Sequence, residues 1–158
     1  MPNQTFRSLV DTVLNDNKGE RVVRFEHLGQ VYWLKQAEKL TGAMRFLKAN
    51  PKTAIQTEIE TLTQLAKQGA QVPELVCFDD NFLVVADVGK TLSEWIVNPE
   101  VDQAKRLRIL TDSGEALAKL HSLGLAHGRP ALRDISWHDG KISFIDFEAS
   151  QNSKDITY

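Results

Sequence analysis

The sequence predicts an α+β fold made of two parts, a strand-rich part with one long helix and then a helical part. Three observations predict it. Short runs rich in β-formers flank turn residues in the first half. Apolar residues recur at helical spacing in longer segments of both halves. A short connector near residue 88 separates the two patterns, so we expect domains at 1–88 and 89–158, with a ligand cleft between them.

The first elements are a helix and a hairpin. Apolar residues recur at helical spacing from Phe6 to Leu14, and the turn residues 15–19 then end the helix. The β-rich runs 21–27 and 31–36 flank Leu28-Gly29-Gln30, which indicates a hairpin.

A long helix completes the first half. Residues 37–49 are ambiguous, with a possible short helix at 43–48. Asn50-Pro51 is a good helix start, a capping residue followed by proline, and Gly69 is a natural stop. The predicted buried stripe of this helix consists of Ile55, Ile59, Leu62 and Leu65.

A second strand pair leads into the connector. Runs 72–78 and 82–86 flank the turn residues Asp79-Asp80-Asn81, and the connector is 87–90.

The second half is predicted to be mainly helical. Thr91 is a plausible cap for a small helix, and a long helix spans 99–123. Gly114 inside that helix suggests close packing. Asp139-Gly140 is a strong signal for a two-residue hairpin turn. The buried face of the long helix is predicted to carry Leu107, Leu110, Leu117, Leu120 and Leu123.

The composition excludes several classes. The chain has 158 residues and a formal net charge of −2, so no basic surface for nucleic acid is indicated. No apolar run approaches the roughly 18 residues that span a bilayer, and the first residues lack the apolar core of a secretory signal. Cys77 is the single cysteine, so no intrachain disulfide can form, and we expect a packed thiol in a cytoplasmic protein.

Five segments, in this order, resemble the protein-kinase-like superfamily: Val31–Lys35, the helix with Glu58, Phe82–Gly89, His127–Asp134 and Asp146-Phe147-Glu148. The resemblance extends from about residue 20 to residue 148. It is greatest to the bacterial lipopolysaccharide (Kdo/heptose) kinases and the small Bud32/RIO-type kinases. It implies a two-lobe kinase fold with a small antiparallel sheet and a truncated helical lower lobe.

The resemblance also implies a nucleotide site. Lys35 would hold the α- and β-phosphates of ATP, and Glu58 would pair with that lysine. Glu60 is the alternative partner, although it points about 200° around the helix from Glu58. The backbone at Asp87 and Val88 would receive adenine.

By the same resemblance Asp134 and Asp146 would bind Mg²⁺, while His127 would hydrogen-bond to backbone. The pattern departs from the family at three positions. Arg129 stands where the family has its catalytic aspartate, Asp134 where it has asparagine, and Glu148 where it has glycine. No glycine-rich phosphate loop is visible.

Two interpretations of Arg129 are open. It could clamp the γ-phosphate while Asp134 orients the acceptor. It could instead pair with Asp134 or Asp146, which would fill the site and abolish transfer.

We therefore expect an ATP- and Mg²⁺-dependent phosphotransferase acting on a hydroxyl of an envelope sugar or another small acceptor. The alternatives are an inactive pseudokinase that docks a partner, and a protein Ser/Thr kinase of the Bud32/RIO type. The chain ends ten residues after Glu148, so we expect further helices or a partner to complete the lower lobe. Without them the long helix should expose apolar surface.

Overall fold

The computed structural model describes residues 4–37, 51–128, 130–147 and 151–152. The described chain is a mixture of helices and short antiparallel strands, so the predicted α+β class is confirmed. It forms two compact units. The first unit consists of Met1–Thr63 and Glu74–Asp87, and the second of Gln64–Pro73 and Val88–Tyr158. Within the described residues, no helix is both long enough and apolar enough to cross a membrane.

The first unit contains a four-stranded antiparallel sheet in the order β1-β2-β4-β3. Leu28 and Gly29 form the two-residue turn between β1 and β2, both with positive φ, so the predicted hairpin is confirmed. This conformation matches the right-handed twist of the flanking strands. The strands are β1 (Val22–His27), β2 (Gln30–Gln36), β3 (Leu75–Asp79) and β4 (Phe82–Ala86).

Helix α1 (Gln4–Asp16) covers one face of this sheet. Its residues Phe6 and Val10 are buried, as is Cys77 of β3, which confirms the packed cysteine. Arg7 of α1 reinforces the contact, because its guanidinium donates to Asp79 at 3.2 Å. The core beneath α1 also contains Val23, Leu34, Phe82 and Val84.

Helix α2 (Pro51–Lys67) confirms the predicted long helix of the first half. Its stripe residues Ile55, Leu62 and Leu65 are buried. Gly69 follows the helix with a φ of 75°, a left-handed conformation that glycine adopts without strain. The predicted cap Asn50, and the possible short helix at 43–48, lie outside the described residues.

The first helix of the segment Val88–Tyr158 in the second unit is α3 (Leu92–Val97), which has a capping box. The Thr91 side chain accepts from the backbone of Glu94, and the Glu94 side chain accepts from the backbone of Thr91, as the cap prediction requires.

Helix α4 (Gln103–Ser122) starts four residues later than predicted. The predicted start at Pro99 is wrong because Asp102 is the cap and accepts from the backbone N–H of Lys105 at 2.7 Å. The backbone carbonyl of Asn98 is used instead in a turn, in which it accepts from Val101.

The predicted buried face of α4 is also partly wrong. Leu107 and Leu110 are 65% and 46% exposed, whereas Ile109 and Leu120 are buried. Ile109 lies about 200° around the helix from Leu107, so only one of the two can face the interior. Gly114 has open space around it, so the predicted close packing at that position is wrong as well.

The remaining elements of the second unit are short. Asp139 and Gly140 form a two-residue turn with positive φ between β6 and β7, and this predicted hairpin is confirmed. In chain order the elements are β5 (Leu125–Ala126), a 3₁₀ turn (Leu132–Asp134), β6 (Ile135–His138), β7 (Lys141–Phe144) and β8 (Gln151–Asn152).

Candidate functional site

A buried ion pair connects the sheet of the first unit to α2. The Nζ atom of Lys35 on β2 is 2.5 Å from Oε1 of Glu58 on α2, and the two side chains are only 18% and 3% exposed. Glu60 is exposed, so the lysine's partner is Glu58. The second carboxylate oxygen of Glu58 is buried and has no hydrogen-bond partner among the described residues.

The pair is held by two regular elements. Lys35 lies opposite Leu83 in the β2–β4 register and opposite Val22 in the β1–β2 register, so it occupies an interior strand of the sheet. The buried stripe of α2 turns Glu58 inward, because Glu58 lies between Ile55 and Leu62 at spacings of three and four residues. A lysine with its charge fixed in this way can present its remaining donors to an anion.

Asp87, the last residue of the first unit, is anchored to β2. Its backbone N–H donates to the carbonyl of Val31 at 3.0 Å. Its carboxylate accepts from the indole N–H of Trp33 at 2.6 Å. The sequence did not indicate this role for Trp33.

Val88 is the first residue of the second segment of the second unit, and its backbone carbonyl is bonded to β6. The hydroxyl of Ser136 donates to the carbonyl of Val88 at 2.7 Å. Two residues further on, the backbone N–H of Trp137 donates to the carbonyl of Lys90 at 3.1 Å. Ser136 was not among the predicted site residues, and no sequence signal identifies it.

The His127 side chain connects the loop before Asp134 to the segment that contains Asp146. The ring is buried, packs against Phe144 and Phe147, and makes a 2.9 Å hydrogen bond through Nε2 with the carbonyl of Ile145. The predicted backbone hydrogen bond of His127 is therefore confirmed.

One backbone hydrogen bond connects the segments that carry the two predicted metal ligands, Asp134 and Asp146. The N–H of Ile145 donates to the carbonyl of Asp134 at 2.8 Å, so Asp146 follows directly after a residue bonded to Asp134. Asp134 is buried, and its Oδ1 lies 3.6 Å from Nε of the exposed Arg133. Asp146 has a φ of 64°, which is strained for a residue with a side chain and is often found at functional sites.

This acidic pair has the chemistry that Mg²⁺ requires. Mg²⁺ in phosphotransferases is bound through one or two carboxylates and completes its shell with phosphate oxygens and water. No group of three or more His, Cys, Asp or Glu side chains that could hold a metal gathers in the described parts of the chain. A cation at Asp134 and Asp146 would therefore depend on oxygens of a bound substrate.

The predicted site residues that the structure describes are divided between the two units. Lys35, Glu58 and Asp87 belong to the first unit, and Val88 belongs to the second together with the acidic pair. Their convergence on one triphosphate stays a prediction. Arg129 and Glu148 lie outside the described residues.

A further polar residue that the sequence did not indicate supports the strand leading to Asp146. The Gln71 side-chain oxygen accepts from the backbone N–H of Ile142 at 3.2 Å, and its carbonyl accepts from that of Phe144 at 3.3 Å. Gln71 therefore provides hydrogen-bond acceptors for the backbone N–H groups on the outer edge of β7.

Comparison with known proteins gives one family match over nearly the whole chain. The model of the lipopolysaccharide kinase (Kdo/WaaP) family matches residues 4–156. An uncharacterised protein of Haemophilus influenzae is 42% identical over 154 residues, which is 98% of this chain and 64% of that protein.

Two archaeal proteins show more distant similarity. The KEOPS complex subunit Bud32 of Pyrococcus abyssi is 28% identical over 93 residues, which is 57% of this chain and 41% of that protein. A probable bifunctional tRNA threonylcarbamoyladenosine biosynthesis protein of Methanocorpusculum labreanum is 23% identical over 99 residues, which is 63% of this chain and 17% of that protein. The chain thus spans less than two thirds of the length of each of these relatives.

Proposed function

The chain belongs to the lipopolysaccharide kinase (Kdo/WaaP) family, and from this premise we propose that it transfers the γ-phosphate of ATP to a hydroxyl group. The acceptor we propose is an envelope sugar or another small hydroxyl compound. Because ATP is a cytoplasmic metabolite, we place the activity in the cytoplasm.

The observation that carries the proposal is the hydrogen bond between Ile145 and Asp134, which holds two acidic residues in one neighbourhood. Asp134 and Asp146 would hold Mg²⁺, which when bound neutralises charge on the triphosphate. Lys35, fixed by Glu58, would position the α- and β-phosphates. The backbone at Asp87 and Val88 would receive the adenine.

The reaction forms a bond between the acceptor oxygen and the γ-phosphorus and breaks the bond from that phosphorus to the bridging oxygen of ADP. Asp134 would orient the acceptor hydroxyl and take its proton late, since the transition state of phosphoryl transfer is loose. The planar guanidinium group of Arg129 would donate two parallel hydrogen bonds to oxygens of the γ-phosphate.

The test measures ADP release from ATP and Mg²⁺ with lipopolysaccharide core sugars, and with a Ser/Thr protein substrate as the second acceptor. Asp146→Asn should reduce turnover by at least about 100-fold, because it removes the charge of a metal ligand. The matched control is Asp139→Asn, since Asp139 also has a positive φ but lies in an exposed turn. Turnover that is unchanged in Asp146→Asn would contradict the proposal.

The second candidate is a pseudokinase that binds a nucleotide or a partner without transfer, and the observation that favours it is Arg129 at the position of the family's aspartate. A thermal shift with ATP and Mg²⁺ distinguishes the candidates. Ligand at a hundredfold excess over its dissociation constant should add about 2.7 kcal/mol of stability. A shift without turnover would favour the nucleotide-binding pseudokinase, and no shift would contradict both the kinase and the nucleotide-binding pseudokinase.

A further inference from the structure

Strand β1 lies at the edge of the four-stranded sheet, because β2 is its one neighbour among the strands that the structure describes. At the start of the β1–β2 register, the carbonyl of Arg21 accepts from the backbone N–H of Gln36 at 2.9 Å. Along an antiparallel pair, residues that bond across the ladder alternate with residues whose backbone groups point the other way. The odd-numbered residues of β1 therefore bond to β2, while the backbone N–H and carbonyl groups of Arg24 and Glu26 point outward from the sheet.

The two faces of β1 differ in character. Arg24 and Glu26 are exposed on one face, and neither makes an ion pair within the described part of the chain. On the other face Val23 is buried, and the half-buried ring of Phe25 stacks on Tyr32 with the ring centroids 5.5 Å apart. The free edge thus carries one positive and one negative side chain on one face and an aromatic ring between them on the other.

A second copy of the chain can pair with this edge in antiparallel orientation, and the backbone and the charges select the same register. Because the outward groups belong to even-numbered residues, an even-numbered residue must lie opposite an even-numbered residue of the other copy. Arg24 opposite Arg24, or Glu26 opposite Glu26, would place like charges together, which destabilises a sheet. The one register that gives both residues a partner of opposite charge pairs Arg24 with Glu26 of the other copy, and the two Phe25 residues then meet at the two-fold axis.

We propose that β1 is a self-complementary interface through which two copies of this chain form a symmetric dimer. In each of its two ion pairs, Arg24 and Glu26 also exchange two backbone hydrogen bonds, as directly opposed residues of a narrow pair do. A single strand pair is small for a protein interface, so the dimer forms in the micromolar range. None of the residues proposed for nucleotide or metal binding takes part, so the inference does not rest on the proposed function.

The competing explanation is that these charges protect the edge from association, as charged residues on edge strands commonly do. In that role the sign of each charge is unimportant, whereas in the proposed dimer the signs must be complementary. Charge reversal therefore distinguishes the two explanations.

The experiment measures association of the full chain by sedimentation velocity over the micromolar range. Every protein compared carries Leu107→Lys and Leu110→Lys, so that the exposed leucines of α4 do not contribute. Arg24→Glu and Glu26→Arg each replace two attractive pairs by two repulsive ones, and each should raise the dissociation constant of the dimer at least about 10-fold. An equimolar mixture of these two variants restores both ion pairs and should form a heterodimer about as tightly as the unreversed chain dimerises.

The matched control is Glu60→Arg, the same reversal at an exposed position of α2, and it should leave the dissociation constant unchanged. A chain that stays monomeric over this range overturns the inference. Equal association of reversed and unreversed chains overturns it, as does a loss of association in Glu60→Arg or a mixture that does not recover association.

Far-UV circular dichroism identifies a reversal that has not folded. The neutral variants Arg24→Gln and Glu26→Gln then replace the reversals, and each should weaken the dimer about 3-fold or more because two attractive pairs are lost. An unchanged dissociation constant in both neutral variants overturns the inference.

Discussion

At the scale of single residues, we expect loss of the buried ion pair of Lys35 and Glu58 to reduce the stability of the protein strongly. Removing one partner of a buried ion pair leaves the other charge uncompensated and costs about 3–5 kcal/mol. Because Lys35 keeps some contact with solvent, we expect Glu58→Ala to lower the free energy of unfolding by about 3 kcal/mol, measured by urea denaturation. Glu60→Ala, two residues along the same helix and exposed, is the control and should change little. Equal effects of the two substitutions would contradict the prediction.

Asp79 makes the stability of the first unit depend on pH. The backbone N–H of Asp80, followed by the guanidinium of Arg7, lowers the pKa of the Asp79 carboxyl below its ordinary value. A group with a depressed pKa in the folded state stabilises above its unfolded pKa of about 3.9. The stabilisation is lost as the pH falls through the folded pKa.

Asp79→Asn should therefore reduce stability at pH 7, by less than about 1 kcal/mol because the site is exposed to solvent. The difference between wild type and variant should disappear in acid, which denaturant titrations between pH 7 and pH 2 can measure. Asp80→Asn keeps the same backbone N–H and the same Arg7 contact, so its curve should follow the wild type. A difference that persists at pH 2 would disprove the assignment.

The site residues predicted from the sequence are those carried by regular elements. The orientations of Lys35 and Glu58 follow from the apolar pattern of a strand and a helix. Ser136 and Trp33 could not be predicted, because their partners lie 48 and 54 residues away along the chain. A side-chain bond to a distant backbone group or carboxylate leaves no periodic signal in a single sequence.

At the scale of elements, the hairpin turns were predicted correctly from the sequence. Asp139-Gly140 has the sequence of a two-residue hairpin turn and forms one. The predicted start of α4 was wrong, because Asn98-Pro99 and Asp102 are both acceptable helix starts. The hydrogen bonds of the turn at 98–101 and of the Asp102 cap show that the helix uses the second. Apolar residues lie on two faces of α4, and the sequence alone does not determine which face is buried.

The turn between β1 and β2 contains a residue poorly suited to its conformation. Leu28 has a φ of 51° and is 91% exposed. A left-handed conformation costs a residue with a Cβ atom about 1–2 kcal/mol, and asparagine tolerates it best among them. Leu28→Asn should therefore raise the free energy of unfolding by about 0.5–1 kcal/mol in urea denaturation. Leu28→Ala removes the same apolar side chain without that tolerance, and an equal gain from alanine would contradict the explanation.

At the scale of the whole molecule, the chain changes unit three times, within α2, just before β3 and at the connector. Residues Gln64–Pro73 belong to the second unit, although the strands that follow them belong to the first. Gln71 contributes to this, because it accepts hydrogen bonds from the backbone N–H groups of Ile142 and Phe144 in β7 of the second unit. Hydrogen bonds between a loop residue and a strand some 70 residues away are not encoded in composition or periodicity.

The exposed leucines of α4 should govern how the 158-residue polypeptide behaves in solution. Leu107 and Leu110 lie three residues apart and therefore form a contiguous apolar surface. We expect concentration-dependent association, and the double substitution Leu107→Lys and Leu110→Lys should reduce it, as measured by light scattering. Since both side chains face solvent, the unfolding free energy should change by less than about 0.5 kcal/mol. If the double variant associates as strongly as the wild type, the surface formed by Leu107 and Leu110 is not the cause of association.

The shielded position of Cys77 gives the molecule a natural reporter. This sulfur is the only thiol in the chain, and it lies in the core that α1 covers, within 3.5 Å of Nη1 of Arg7. A thiol-reactive dye can reach it only when the helix lifts away or the sheet opens. The rate of labelling therefore measures how often the first unit opens, with no engineered probe and no competing site.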